Sequence, residues 1–167
     1  MKKVVLVGAI VLLSVVSCSN EEVKPIETTT PVVTPNYTNF KITSIQVNSI
    51  PMVDANSSSW DTFDGPDVFF NIENKNDDVL LDGSGSKYSD ISYSSLPLKW
   101  TFTSAFLVTN FEPSYFVTIY DYDYADPNDN IGYVGFNFNQ HKTGYPTSIT
   151  KTSIDGTISV TINGNWY

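Results

Sequence analysis

The stretch Tyr120-Asp121-Tyr122-Asp123-Tyr124-Ala125-Asp126-Pro127-Asn128-Asp129-Asn130-Ile131-Gly132 decides the reading of this chain. Four carboxylates fall within nine residues, and no base stands among them. A strand pattern runs into the stretch, with Tyr115, Val117 and Ile119 alternating with Phe116, Thr118 and Tyr120. A second pattern leaves it through Ile131, with Val134, Phe136 and Phe138 in one phase. The segment is therefore read as a loop between two strands. Carboxylates held so close repel one another, most of all where water is partly excluded. Such a cluster persists if a cation sits in it or if solvent screens it.

An earlier loop is also acidic. Pro51 to Pro66 is long and rich in Ser, Asp and Asn, and leads into Trp60-Asp61-Thr62-Phe63-Asp64-Gly65-Pro66-Asp67. Asp61 and Asp67 are separated by five residues. In the later loop Asp121 and Asp123 are separated by one, and Asp123 and Asp129 by five. If both loops lie at one end of a sandwich they can converge. Five carboxylates and neighbouring backbone carbonyls then supply the roughly six to eight oxygens that Ca²⁺ takes. The competing reading is two solvated turns, because Asp, Asn, Gly and Pro are the residues turns use in any case.

Working outward from the two loops, period-2 alternation recurs along the chain. Phe40, Ile42, Ile45 and Val47 mark a first strand, whose phase slips between Ile42 and Ile45 as at a bulge. Val68, Phe70 and Ile72 mark the next. Asn74 to Asp78 and Asp82 to Ser86 are turns around the short apolar run Val79-Leu80-Leu81. Ile91 and Tyr93 suggest a weak edge strand, and Leu98, Trp100 and Phe102 a better one. Ile158, Val160 and Ile162 close the chain after the turn Asp155-Gly156. With the two strands around the acidic loop this predicts an all-β, eight-stranded antiparallel β-sandwich over residues 38–167. No amphipathic helix and no internal repeat is expected. Trp100 is assigned to the core, and Trp166 and Tyr167 to packing at the chain end.

On these residues the sequence resembles the C2 domain, a calcium-dependent lipid-binding β-sandwich. Ile50-Pro51-Met52-Val53-Asp54 resembles the entry into that family's first calcium loop, and Gly65-Pro66-Asp67-Val68-Phe69-Phe70 its step into the next strand, with the proline displaced. Leu96-Pro97-Leu98-Lys99-Trp100-Thr101-Phe102 resembles its Asn-Pro-x-Trp stretch without the Asn residues. Asp121-Tyr122-Asp123 followed by Asp129-Asn130-Ile131-Gly132 is the best match. The resemblance implies Asp61, Asp67, Asp121, Asp123 and Asp129 as side-chain ligands of Ca²⁺, with the carbonyls of Trp60 and Tyr122 adding backbone oxygens. The first loop is longer than the family's, so Asp54 competes with Asp61 for the first ligand position. The basic groove that many members use for phosphoinositides has no counterpart here.

Other sites are not supported. An EF-hand starting at Asp121 would need Gly at its sixth position and Glu at its twelfth, where Asp126 and Gly132 stand. His141, the single histidine, is read as a surface turn residue. It lacks the partners of a zinc site or a Ser-His-Asp triad, and the chain is read as a non-enzyme. The formal charge of −9, with nine Lys and no Arg, excludes a nucleic-acid partner held through a basic patch.

The start of the chain reads as an address. Lys2 and Lys3 precede an apolar run from Val4 to Val16, too short to span a bilayer and suited to a secretory signal. It ends in Val15-Val16-Ser17-Cys18, which resembles the lipobox of bacterial lipoproteins and implies a leader over 1–17 and acylation of Cys18, the sole cysteine. Ser19-Asn20-Glu21-Glu22 resembles the surface-export signal of Bacteroidetes lipoproteins. That implies an outer-membrane lipoprotein at the cell surface, with the periplasmic face as the alternative. Residues 18–37 read as the lipidated cysteine and a tether, whose stretch 23–37, with Pro25, Pro31 and Pro35, reaches up to about 50 Å at about 3.1 Å per residue.

Two functions are expected from the whole. One is a membrane-anchored calcium-binding module that bridges to phospholipid or glycan head groups. The other is a structural or adhesive surface protein, such as an accessory in glycan capture, whose acidic loops are only turns. Trp60, Phe63, Tyr122 and Tyr124 would enter an interface or stack on sugars in either case, or simply cap the sandwich.

Overall fold

A computed structural model describes residues 35–61 and 64–167. The leader, Cys18, most of the tether, Thr62 and Phe63 lie outside the described residues. Among the described residues there are eight strands: β1 (Phe40–Ser49), β2 (Val68–Glu73), β3 (Val79–Asp82), β4 (Leu98–Val108), β5 (Tyr115–Asp121), β6 (Asp129–Phe136), β7 (Ser148–Thr152) and β8 (Ser159–Trp166). They form two four-stranded sheets, ordered β4-β1-β8-β7 and β3-β2-β5-β6. Every ladder is antiparallel.

The alternation in the sequence builds the core. Ile45 and Val47 of β1, Val68, Phe70 and Ile72 of β2, Val117 and Ile119 of β5 and Val160 and Ile162 of β8 are all buried. Each strand turns one phase inward, and two such faces enclose the core between the sheets. The phase slip in β1 is a real irregularity: its register against both β4 and β8 shifts between Ile42 and Ser44. The extra residue lets Ile42 and Ile45 both face inward. At one end of the sandwich Phe40 packs on Phe138 and Trp166 at ring distances of 5.0 and 4.8 Å.

One buried acid inside this core is satisfied locally. Glu73 is buried, and accepts hydrogen bonds from Thr118 Oγ1 at 2.6 Å and Tyr120 OH at 2.9 Å. Burial and then the bond to Glu73 push the Tyr120 hydroxyl up to about 12. Tyr120→Phe leaves Glu73 one donor short. It should cost about 1 kcal/mol of stability in urea unfolding, and an unchanged midpoint would show that the bond contributes nothing.

Several sequence expectations need correction. Ile91 and Tyr93 form no strand: Ile91 is a buried plug in a loop, and Tyr93 opens a 3₁₀ turn, Tyr93–Ser95, with its ring exposed. The eighth strand is β7, whose Ser-Ile-Thr-Lys-Thr buries only Ile149. Phe138 leaves the strand phase and anchors a 3₁₀ turn, Phe138–His141. Trp166 is buried, but the Tyr167 ring is exposed and only its backbone is tied in, to Thr38 and Asn39.

The connections fix two unlike ends. The chain enters at Thr38 and leaves at Tyr167 side by side, with the Thr38 and Asn39 N–H groups donating to the Tyr167 carbonyl. The loop after β1, the β3–β4 connection, the acidic β5–β6 loop and the β7–β8 hairpin all lie at the opposite end.

Candidate metal centre

β5 delivers the central carboxylate. Val117, Ile119 and Asp121 share the inward phase, so the strand that fills the core with apolar side chains ends by pointing an acid into its rim. Asp121 is 1% exposed. Its Oδ1 accepts the Asp67 N–H at 2.6 Å, while its Oδ2 is buried with no hydrogen-bond partner. Burial, followed by the nearby charges of Asp61, Asp123 and Asp67, outweighs that bond and pushes the carboxyl up to about 6. A buried carboxylate oxygen without a donor is costly and calls for a cation or a proton.

Asp67 lies beside it at the entry to β2, and its carbonyl accepts the Tyr122 N–H at 2.8 Å. Asp67 Oδ1 accepts the Asp90 N–H at 3.1 Å, and Oδ2 forms an ion pair with Lys87 Nζ. Burial pushes this carboxyl up, but the Lys87 and Asp90 bonds together hold it below the ordinary value. Asp61 is raised, first by burial and then by Asp64, Asp123, Asp67 and Asp90. Asp123 is half-buried, and its N–H donates to Asn128 Oδ1 at 3.1 Å, which closes the acidic loop on itself. Two loops far apart in sequence thus bring Asp61, Asp67, Asp121 and Asp123 within electrostatic reach of one another.

The remaining residues named from the sequence are exposed or engaged in bonds of their own. Asp129 faces Asp121 across the β5–β6 ladder, but it is exposed and borders an open groove of about 1180 Å³ between the β6 edge, the first loop and the β7–β8 hairpin. Asp54 borders the same groove and caps its own turn, its Oδ1 accepting the Asn56 and Ser58 N–H groups at 2.9 and 2.7 Å. The Ser58 bond, opposed by burial and helped by the Asn56 bonds, holds its carboxyl low. Of the two rivals for the first loop, Asp61 joins the acidic group and Asp54 does not. Trp60 packs against the core with its Nε1 donating to the Pro51 carbonyl at 2.9 Å, so it caps the sandwich. Tyr124 is 96% exposed. His141 lies at the far end, half-buried rather than on the surface, with Nε2 unpartnered; burial, then Lys151, lowers its pKa.

Sequence reasoning missed Lys87, Asp90 and Asn128. Lys87 matters most, because its ammonium pairs with Asp67 and sits 3.9 Å from the Tyr122 ring centroid. Among the described residues, no three His, Cys, Asp or Glu side chains stand together as a metal-ligand set. Both Asp67 oxygens are engaged, and Asp129 borders the groove. The donor chemistry still suits a hard cation. Asp121 Oδ2 is unsatisfied, and Asp61 and Asp121 are both raised, by burial first and then by like charges that a divalent ion would offset.

No family model matches the sequence, and no curated protein matches it. Among solved structures, that of the paired C2 domains of extended-synaptotagmin 2 superposes with a TM-score of 0.52, covering 95% of this chain and 47% of that one at 11% identity. The fold is C2-like. Human GIVD cytosolic phospholipase A2 gives a TM-score of only 0.43 at 12% identity, over 79% of this chain and 17% of that one. This chain spans about half the length of the synaptotagmin structure. Within the C2-like frame the acidic cluster and its Lys87 come from three of the loops at this end, those after β1, β3 and β5.

Proposed function

We propose that this chain is an exported, lipid-anchored module that takes up Ca²⁺ at the acidic end of its C2-like sandwich and uses it to bridge to phosphate or carboxylate head groups. The observation that carries the reading is the buried, unpartnered Oδ2 of Asp121, set among Asp61, Asp67 and Asp123. Asp61, Asp121 and Asp123 would hold the ion, with Asp129 joining from across the ladder and Asp67 joining if it is released from Lys87 and Asp90. Bound calcium would supply the positive charge that a basic patch does not. The exposed Tyr124 and Ile154, on neighbouring loops of the same end, offer apolar side chains to an interface. Acylation at Cys18 and placement at the outer membrane, at the cell surface or on its periplasmic face, belong to this proposal on the strength of the leader alone.

A second reading has its own support. Lys87 already neutralises one carboxylate, which favours a static acidic end in a structural or adhesive protein that binds glycans through its aromatic rim. Co-sedimentation with phosphatidylserine vesicles, in millimolar calcium and in EDTA, separates the two. Calcium-dependent pelleting that is lost in Asp121→Asn supports bridging. Absence of pelleting together with calcium-independent retention on a glycan array supports the second.

A further inference from the structure

Lys87 is held in a way that ordinary surface lysines are not. Its neighbour Tyr88 forms a two-bond bridge with Val68, at 2.7 and 2.9 Å, which fixes the Lys87 backbone beside the strand entry that carries Asp67. The Tyr88 hydroxyl donates to the Lys99 carbonyl at 2.7 Å and ties this loop to β4 as well. The side chain then lies between Asp67 Oδ2 and the face of Tyr122, a position that favours a cation twice over. Its bond to Asp67 raises its pKa against the opposing effect of burial, with the charges of Asp67, Tyr122 and Asp121 adding to the rise. Yet one ammonium satisfies only the Asp67 side of the cluster, and Asp121 Oδ2 keeps no partner.

We propose that Lys87 is a built-in counter-ion that fills the Asp67 side of the acidic end, so that calcium enters only through Asp61, Asp121 and Asp123 and against the charge of Lys87. The inference rests on the calcium reading above and assigns what limits the affinity and ion number of that site. An ammonium beside the ligands repels an incoming divalent ion and occupies Asp67, a carboxylate the ion would otherwise use. The site is therefore tuned to take fewer ions, more weakly, than its acid count suggests. Extracellular calcium is concentrated enough for weak sites to fill, at dissociation constants on the order of 10⁻⁴ to 10⁻³ M.

The test is calorimetric titration of CaCl₂ into the full chain in detergent, beside Lys87→Met, the charge-keeping Lys87→Arg and Lys75→Met, whose lysine lies in the β2–β3 turn at the opposite end. Lys87→Met should bind about tenfold tighter or take up an additional ion, given a unit charge removed a few ångströms from the site. Lys87→Arg and Lys75→Met should match the wild type. Lys87→Gln serves in place of the Met variant if that one does not fold. Binding by the variant alone would support the counter-ion role outright. Equal affinity and stoichiometry in wild type and Lys87→Met would overturn it and leave the calcium reading standing. No binding by either would overturn both.

Discussion

Asp121→Asn is expected to stabilise the calcium-free protein at pH 8 and, in the same molecule, to abolish its response to calcium. The asparagine keeps an oxygen for the Asp67 N–H and places an amide donor where Oδ2 now has no partner. The pH dependence follows from the raised carboxyl. Its pKa stands near 6 when folded, above the 3.8 of an unperturbed aspartate. The folded state therefore binds this proton more tightly than the unfolded state. That contribution to stability is full below about pH 4 and is lost as pH rises through about 6. The full shift would be worth about 3 kcal/mol, and solvent screening at the open loop end reduces it to about 1–2 kcal/mol. Wild type in EDTA should thus weaken between pH 5 and pH 8 by more than the variant does. Calcium at a hundredfold excess over its dissociation constant should stabilise wild type by about 2.7 kcal/mol, a rise of several degrees in melting temperature. The variant should not move. Thermal unfolding in EDTA and in millimolar calcium checks both halves. A wild type indifferent to calcium would mean that the acidic end is no metal site.

Gly65→Ala should damage the same end from the opposite direction, by destroying its scaffold. A Cβ at this position would stand 1.9 Å from the Ile91 carbonyl oxygen and 2.8 Å from its carbon. Both are backbone atoms and cannot swing aside. The adjoining Pro66 carbonyl accepts the Ile91 N–H at 3.0 Å, so the first loop and the β3–β4 connection are zipped together here. Pushing them apart pulls buried Ile91 from the core and separates Asp67 from the Asp90 N–H. The expected cost is about 1–3 kcal/mol, as for other overpacked sites. Calcium affinity should fall with it, because Asp61 and Asp67 are carried by the displaced loop. Chemical denaturation gives the first quantity and calorimetric titration the second. A variant as stable as wild type would show that the two loops are not held in contact.

How far these features could be read in advance varied with their physics. Strands that bury one full face announce themselves: β2, β5 and β8 follow their alternation, and the slipped phase of β1 proved to be a bulge. β7 was invisible because an edge strand needs only one buried side chain, Ile149, and its other positions are polar. Ile91 misled for the converse reason. A loop can bury an isolated apolar plug, and beside Tyr93 that mimics alternation. At the site, spacing singled out the carboxylates, and the burial of Asp121 follows from its sharing the phase of Val117 and Ile119 at the end of β5. It did not separate Asp61 from Asp54, because an aspartate that caps its own turn looks the same in sequence as one that faces a neighbour. Lys87 was illegible, since its partner Asp67 lies on a different loop and the Val68–Tyr88 bridge that joins them leaves no periodic trace.

The side-by-side entry and exit of the chain have a mechanical consequence. Force applied between Thr38 and Tyr167 would pull β1 from β8 at their paired ends, Phe40 opposite Trp166. The cross-strand bonds would then break one after another, like a zipper, at low load. Force applied between Thr38 and the acidic loops runs along the strands instead. It would shear β1 against β4 and β8 together, with both ladders loaded at once because their bonds lie across the pull. A molecule held at its N-terminal side and gripping a surface with its far loops would be stretched along its strong axis.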